Sequence, residues 1–405
     1  MTKLEQLIQE KCPNGVEYKR FDEVFEIQNG FTPSKKIGEY WENGDIPWFR
    51  MEDIRTNGGI LYDSIQHTTM KGIKNKPFPK DSIIFATTAT IGEHALIKVP
   101  FMCNQQLTHI HINDEYKNKL LIEFIYHYSD IIDKMCVNNT KGGGTMQAVS
   151  LEKFKSFELP VPPLKVQCEI VEILDKFTLL TAELTAELTA RKQQFQTYLD
   201  KLYEDENDKR VKLSSLGTLQ RGKRFVHADT VDIGVPCIHY GELYTYYGVY
   251  ANKAKSYIRE DLRPKMRYAS KNDVIIVGAG ENNEDIGVGV VWDGNEDVAV
   301  HDACYTLKHN QNPKYISYFL RSTSYHKQIK KYVSEGKICA ISAEGIGNAL
   351  IPLPSIDKQN EIVKILDSFY SLTNDIKEGI PAEIEARQKQ YEYYRDKLLA
   401  FKKAI

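Results

Sequence analysis

The longest regular pattern in the chain is a stripe of apolar residues three or four positions apart. Ile170, Ile173, Phe177, Leu180, Leu184, Leu188, Phe195, Tyr198 and Leu202 share it, the spacing that puts side chains on one helix face. The pattern predicts a helix from about 165 to 203, roughly 58 Å long at ~1.5 Å per residue. Pro160, Pro162 and Pro163 stand just before it, where proline ends a strand and opens a helix. Elsewhere the pattern is mixed. Ser82 to Ala86 and Val274 to Val277 are short β-rich apolar runs, whereas Leu120 to Met135 and Lys314 to Tyr332 carry helical spacing. Phe21 and Leu213 each open a strand-like run that ends at Gly30 or Gly222.

The same text is written twice, 192 residues apart. Leu159-Pro160-Val161-Pro162 returns as Ile351-Pro352-Leu353-Pro354, and Gln167-Cys168-Glu169-Ile170-Val171-Glu172-Ile173-Leu174-Asp175 returns as Gln359-Asn360-Glu361-Ile362-Val363-Lys364-Ile365-Leu366-Asp367. Ser150 aligns with Ser342, and Asp81-Ser82-Ile83-Ile84 with Asp273-Val274-Ile275-Ile276. One offset held over so many points means duplication. The predicted domains are two divergent heads, 1–158 and 207–350, each followed by a shared helical segment, 159–206 and 351–405. Further on, Ala190-Arg191 matches Ala386-Arg387, so four residues are inserted in the second copy around Gly379-Ile380-Pro381. Four residues are close to one helical turn, and Pro381 should kink or restart the helix. A stripe this long needs a partner, and the second copy supplies one. The expected fold is α+β: two pseudo-symmetric α/β domains separated by two long antiparallel coiled-coil helical regions. The expected pairing residues are Ile170, Phe177, Leu184, Leu188, Phe195 and Leu202 with Ile362, Leu366, Phe369, Tyr391 and Leu398.

Composition narrows the class. The chain has 405 residues, enough for two or three domains, and a formal net charge of −2 that argues against non-specific coating of nucleic acid while leaving local basic surfaces open. No stretch of about 18 apolar residues is present for a membrane span, and the first residues lack a secretory signal pattern. Seven cysteines are scattered without a Cys-x-x-Cys pair, as for free thiols in a reducing cytoplasm, so no metal or disulfide framework is expected.

These motifs resemble the specificity subunit of type I restriction-modification systems, in the branch with a tandem four-residue repeat. The resemblance rests on the repeated Leu-Pro-x-Pro-x-x-x-x-Gln-x-x-Ile-Val-x-Ile-Leu-Asp pattern and the tandem Thr181-Ala182-Glu183-Leu184 and Thr185-Ala186-Glu187-Leu188. Both helices also end in Ala-Arg-x-x-Gln-Phe/Tyr and then Asp-Lys-Leu. It covers essentially the whole chain. It implies that each head reads one half of a bipartite double-stranded DNA target and that the helices set the unread spacer and dock two modification subunits. Those partners would carry S-adenosylmethionine, and restriction subunits would add ATP- and Mg-dependent translocation and cleavage. No cofactor is expected in this chain, and the expected location is cytoplasmic. Adding one tandem repeat lengthens a helix by about 6 Å, against about 3.4 Å per base pair, so each repeat should move a half-site by one to two base pairs.

DNA contact needs cations for phosphates and amide or Arg side chains for base edges. Basic runs precede both Asp-x-Ile-Ile strands: Lys71, Lys74, Lys76 and Lys80 in one head, Arg263, Lys265, Arg267 and Lys271 in the other. Gly30-Phe31-Thr32-Pro33-Ser34-Lys35-Lys36 is similar to the family's Gly-x-Thr-Pro-Ser turn, and Arg221, Lys223 and Arg224 stand at the matching place. Arg50 follows Ile46-Pro47, and His239 and Tyr240 follow Val235-Pro236. Asn104, Gln105 and Gln106 resemble the family's Asn-Gln step, where the second head has His301-Asp302. Thr145 and Gln147 precede Ser150 as in family members, and Lys337 lies in the matching loop. Tyr244, Tyr246 and Tyr247 suit packing as well as stacking.

An enzyme reading finds little. Gly278-Ala279-Gly280-Glu281 has two glycines of a nucleotide-binding turn without the third, and no Asn-Pro-Pro-Phe/Tyr, Gly-x-Ser-x-Gly, zinc-protease or P-loop motif occurs. The expected product is a non-catalytic DNA-recognition subunit. The alternatives are the recognition part of another bipartite restriction enzyme, or a coiled-coil scaffold that reads no DNA.

Overall fold

The computed structural model describes residues 3–74, 76–140, 147–204, 209–374 and 379–404. The chain forms two compact units. Unit 1 comprises Met1–Ala182 with Glu385–Ile405, and unit 2 comprises Glu183–Ile384. The last residues of the chain therefore belong to the first unit. The predicted stripe is one helix, Leu164–Leu202, of 39 residues, whose first part belongs to unit 1 and second part to unit 2. The second repeat gives helices Ile356–Asn374 and Ile380–Leu398. The latter starts with Pro381 in its first turn, where a missing N–H is tolerated.

Each unit is built on a five-stranded sheet with the same order. In unit 1 it runs Phe25–Asn29, Leu107–Ile112, Ser82–Ala86, His94–Ile97, Ile60–Leu61, and in unit 2 Gly217–Arg221, Cys304–His309, Val274–Val277, Gly289–Trp292, Tyr250–Ala251. Only the final pairing is parallel in each. Ser82–Ala86 and Val274–Val277 are buried along their whole length, which is why both read as unbroken apolar runs rather than alternating ones. A second sheet, three-stranded in unit 1 and five-stranded in unit 2, contains a parallel pair, Trp48 beside Met102 and Cys237 beside Ala299. A third element, a two-stranded clasp, obeys the 192-residue offset: Tyr18–Arg20 with Glu158–Pro160, and Arg210–Lys212 with Leu350–Pro352.

Three expectations are refined by the packing. Phe21 and Leu213 open helical turns, Phe21–Val24 and Leu213–Ser215, before the strands begin at Phe25 and Gly217. Phe21 and Val24 are fully buried, a three-residue spacing that suits a turn. The run from Lys314 to Tyr332 is two helices, Pro313–Phe319 and Thr323–Ile329, followed by a 3-10 turn. Asn312 caps the first helix at Tyr315 N and Ser322 the second at Tyr325 N, so the side-chain caps override the continuous apolar spacing. The landmark serines are caps as well: Ser150 accepts from Lys153 N at 3.2 Å and Ser342 from Gly345 N at 3.1 Å.

The repeated motif joins helix to head in the same way twice. Gln167 is fully buried; its Oε1 accepts from Leu121 N at 2.9 Å, and its Nε2 donates to Lys119 O and Pro162 O. Gln359, also fully buried, accepts from Asn312 N and donates to Gln311 Oε1 and Pro354 O. Eight residues on, Asp175 meets His127 at 2.8 Å, and Asp367 meets Lys314 and the Tyr318 hydroxyl at 2.7 Å each. Ile170 and Leu174 enter the core of unit 1, and Ile362 and Leu366 that of unit 2.

The pairing residues therefore divide by task. Ile170, Ile362 and Leu366 serve the head cores, whereas aromatic stacks join the repeats: Phe177 on Tyr394 in unit 1 and Tyr198 on Phe369 in unit 2. Tyr391 meets His127, and Phe195 meets Tyr318 and Tyr370. Leu184, Leu188, Leu202 and Leu398 are half-buried. The chain end closes unit 1, with Val16 and Lys402–Ala404 exchanging backbone hydrogen bonds and Lys403 paired to Glu158.

Two outcomes test this packing. Gln167→Leu leaves one N–H and two carbonyls without partners, each worth about 1–3 kcal/mol when buried, so urea unfolding should show a loss of about 3 kcal/mol or more. Acid is the second probe. Burial pushes the His109 imidazole, stacked 4.0 Å from Phe78, down to about 4. The unfolded chain takes up that proton near pH 6.5 and the folded chain only near 4, so stability falls as pH drops through that window. Between pH 7 and 5 His109 should contribute a loss on the order of 2 kcal/mol, so a His109→Phe variant measured in parallel should lose that much less, while the equally depressed His309 contributes in both.

Candidate nucleic-acid interface

In unit 1 the loops at one end of the sheets converge. Gly30 N donates to Leu107 O and Phe31 N to Cys103 O, at 2.9 and 2.8 Å. A Cβ on Gly30 would lie 2.2 Å from the Cys103 carbonyl oxygen, so only glycine lets this turn approach the strand so closely. Trp48 Nε1 then donates to Phe31 O at 3.0 Å, and Asn104 N donates to Phe49 O at 3.1 Å. Thr32 meets Gln105 side chain to side chain. Arg50 lies over the Trp48 ring and Lys74 over Phe31, both at 5.8 Å. Ala89 N donates to Gln147 O, and Thr87 N to Gln106 O. The structure thus brings together Thr32, Arg50, Lys74, Gln105, Gln106 and Gln147.

Not every candidate there is presented outward. Asn104 is buried, its carbonyl oxygen accepting from Gln106 N and its amide donating to Gln106 Oε1; it shapes the turn that exposes Gln105. Ser34 accepts through its backbone oxygen from Trp41 Nε1, and Lys35, Lys36 and Lys76 are exposed. Lys71 is held by Glu39 at 2.8 Å. Thr145 lies outside the described residues.

Unit 2 assembles matching loops with different side chains. Gly222 makes the equivalent close approach; a Cβ there would sit 2.2 Å from His301 O and 2.3 Å from Val300 O. Arg221 donates to Asp302 O, and Arg267 to Arg221 O, both at 2.7 Å, so these two arginines brace the loops. Arg263 pairs with Glu260. Lys223, Arg224, Lys265 and Lys337 are exposed. At the centre, His239, Tyr240, His301 and Phe225 pack ring to ring at 4.3 to 6.3 Å. His301 Nδ1 accepts from Ala303 N, which leaves Nε2 to donate to Phe225 O at 3.1 Å. Burial lowers the pKa of both histidines, and at His301 the neighbouring His239 lowers it further. Neutral rings at pH 7 suit base-edge contact rather than phosphate contact.

Tyr240, His301, Lys337, Glu281 and Ile338 line a cleft of about 580 Å³ with Ala279, Gly280 and Ala303. Glu281 and Ile338 escaped the sequence reading. The Gly278-Ala279-Gly280 run was the available signal, since it permits the strand pair Ala279–Gly280 with Cys339–Ala340 that carries both loops. Among the described residues, no helix is long and apolar enough to cross a membrane.

Comparison with known proteins bears on the chain as a whole. The family model for the type I restriction modification DNA specificity domain matches twice, over residues 13–191 and 206–386. The EcoprrI type I restriction enzyme specificity subunit of Escherichia coli is 34% identical over 384 residues, covering 91% of this chain and 92% of that protein. A putative type I restriction enzyme specificity subunit of Haemophilus influenzae is 30% identical over 405 residues, covering 95% and 96%. Among solved structures, a chain from work on complex assembly and conformational transition of the type I R-M system aligns with a TM-score of 0.67 at 16% identity, covering 96% and 98%. The S subunit from M. genitalium aligns at 0.51 and 15%, with the same coverage. At such identities these two speak for the fold alone. With two matches that together span most of its length, and relatives aligned nearly end to end, the chain belongs to the type I restriction-modification specificity-subunit family.

Proposed function

We propose that this chain is the non-catalytic, sequence-reading subunit of a type I restriction-modification enzyme, in which each unit reads one half of a bipartite DNA target. The observation that carries the reading is the duplicated set of loops on a shared frame. Gly30 and Gly222 hold the same tight approach, yet Arg50 and Gln105 stand where the other unit has His239, Tyr240 and His301. Amides and neutral imidazoles meet base edges, while Lys35, Lys36, Lys74, Lys223, Arg224 and Lys337 meet phosphates. A scaffold without DNA readout has no physical reason to keep the frame and vary the loops.

The helical segments dock two modification subunits and set the unread spacer, with Thr181–Leu184 and Thr185–Leu188 as the ruler of the tandem-repeat branch. S-adenosylmethionine, and ATP with Mg for restriction, belong to the partner subunits. The restriction subunits act on a site that this chain selects, in the cytoplasm.

Exchanging Lys223, Arg224 and Lys337 for alanine should weaken binding of the assembled modification enzyme to its target at least tenfold. It should also flatten the salt dependence by about one unit of slope for each phosphate left without its cation, as read by fluorescence anisotropy at several salt concentrations. Unchanged affinity and slope would remove these residues from the interface. Deleting Thr185–Leu188 shortens the helix by about 6 Å. Methylation mapping should then show the same two half-sites with a spacer one to two base pairs shorter.

A further inference from the structure

Outside those loops, unit 1 gathers His94 from strand His94–Ile97 with Asp130 and Asp133 from helix Ile122–Asn138. His94 Nδ1 lies 2.6 Å from Asp133 Oδ2, and one ligand-type atom from each of the three residues falls within 4.8 Å of the others. Asp133 is only 8% exposed, yet its second carboxylate oxygen, Oδ1, has no hydrogen-bond partner among the described residues. A buried carboxylate oxygen without a donor is costly. Asp130 and Asp133 line a cavity of about 600 Å³, together with Glu392, Asp396, Lys134 and Arg395. Four carboxylates there face two cations, and Arg395 is already held by Asp130 and Asp396.

We propose that His94, Asp130 and Asp133 bind a divalent transition-metal ion, with Zn²⁺ the best fit. One imidazole nitrogen and two carboxylate oxygens are zinc donors at about 2.0–2.2 Å, and the cavity leaves room for water at a fourth position. Tetrahedral bonds of that length separate the ligand atoms by roughly 3.3 Å, so the His94–Asp133 pair opens by less than ~1 Å as the ion replaces the shared proton. The imidazole disfavours Mg²⁺ and Ca²⁺, which take oxygen ligands. Bound metal would staple the sheet of unit 1 to helix Ile122–Asn138, which Arg395 already joins to helix Ile380–Leu398 through Asp130 at 2.5 Å. Sequence spacing hides the set, because His94 stands far from the two aspartates along the chain.

The test uses the full chain, stripped with chelator and titrated with ZnCl₂ by calorimetry and thermal unfolding. The proposal expects one ion bound with micromolar affinity and a Tm higher by several degrees, as for any ligand of the folded state. MgCl₂ should give no shift, and H94Q and D133N should each bind Zn²⁺ at least tenfold more weakly. Should either variant fail to fold, the Co²⁺ absorption spectrum of the unaltered chain decides. Tetrahedral d–d bands without a thiolate charge-transfer band support the site. No binding, equal affinity in the folded variants, or a thiolate-dominated spectrum (the ion at cysteines such as exposed Cys168) would overturn it.

Discussion

A glutamine with no exposed surface governs how each head meets its helix. Gln167 and Gln359 satisfy backbone groups on the preceding head and on the proline-rich lead-in at once. The interior of a protein tolerates such a side chain only when its hydrogen bonds are met, so the helix start and the head loop must keep their mutual register. The apolar positions that follow, Ile170 and Leu174 or Ile362 and Leu366, then have no choice but to enter the head core. Fixing the frame in this way frees the distant loops to vary, because their side chains carry none of that packing.

The frame was legible in the sequence because its determinants are local and repeated. A three-to-four spacing predicted the long helix to within a residue at each end, and the two β-rich runs at the 192-residue offset are the central strands; the clasps obey the same offset, but no pattern in the sequence announced that pairing. Helix interruptions were less legible. Apolar spacing continues through Leu320–Ser322, and only the capping geometry of Ser322 shows the break. The tie between the chain's last residues and Val16 rests on backbone hydrogen bonds, which leave no mark on side-chain choice.

Within the interface, residue type gave the chemistry but not the direction of each side chain. Asn104 and Gln105 are neighbours with the same amide, yet one turns inward to hold Gln106 and the other is exposed. Arg221 and Arg224 likewise look equivalent in sequence, but Arg221 is spent on the Asp302 carbonyl. Glu281 and Ile338 reach the cleft through a two-residue strand pair that no periodicity announces. Loop side chains are aimed by neighbours far apart in the chain, and one sequence carries little record of those pairings.

Two differing loop sets on one duplicated frame imply two unlike words read on a single DNA. Mapping N6-methyladenine by single-molecule sequencing, in a host that makes the complete modification enzyme, tests this most directly. One motif made of two dissimilar half-sites at a fixed separation is the expected result; a single uninterrupted motif, or two identical halves, would contradict it.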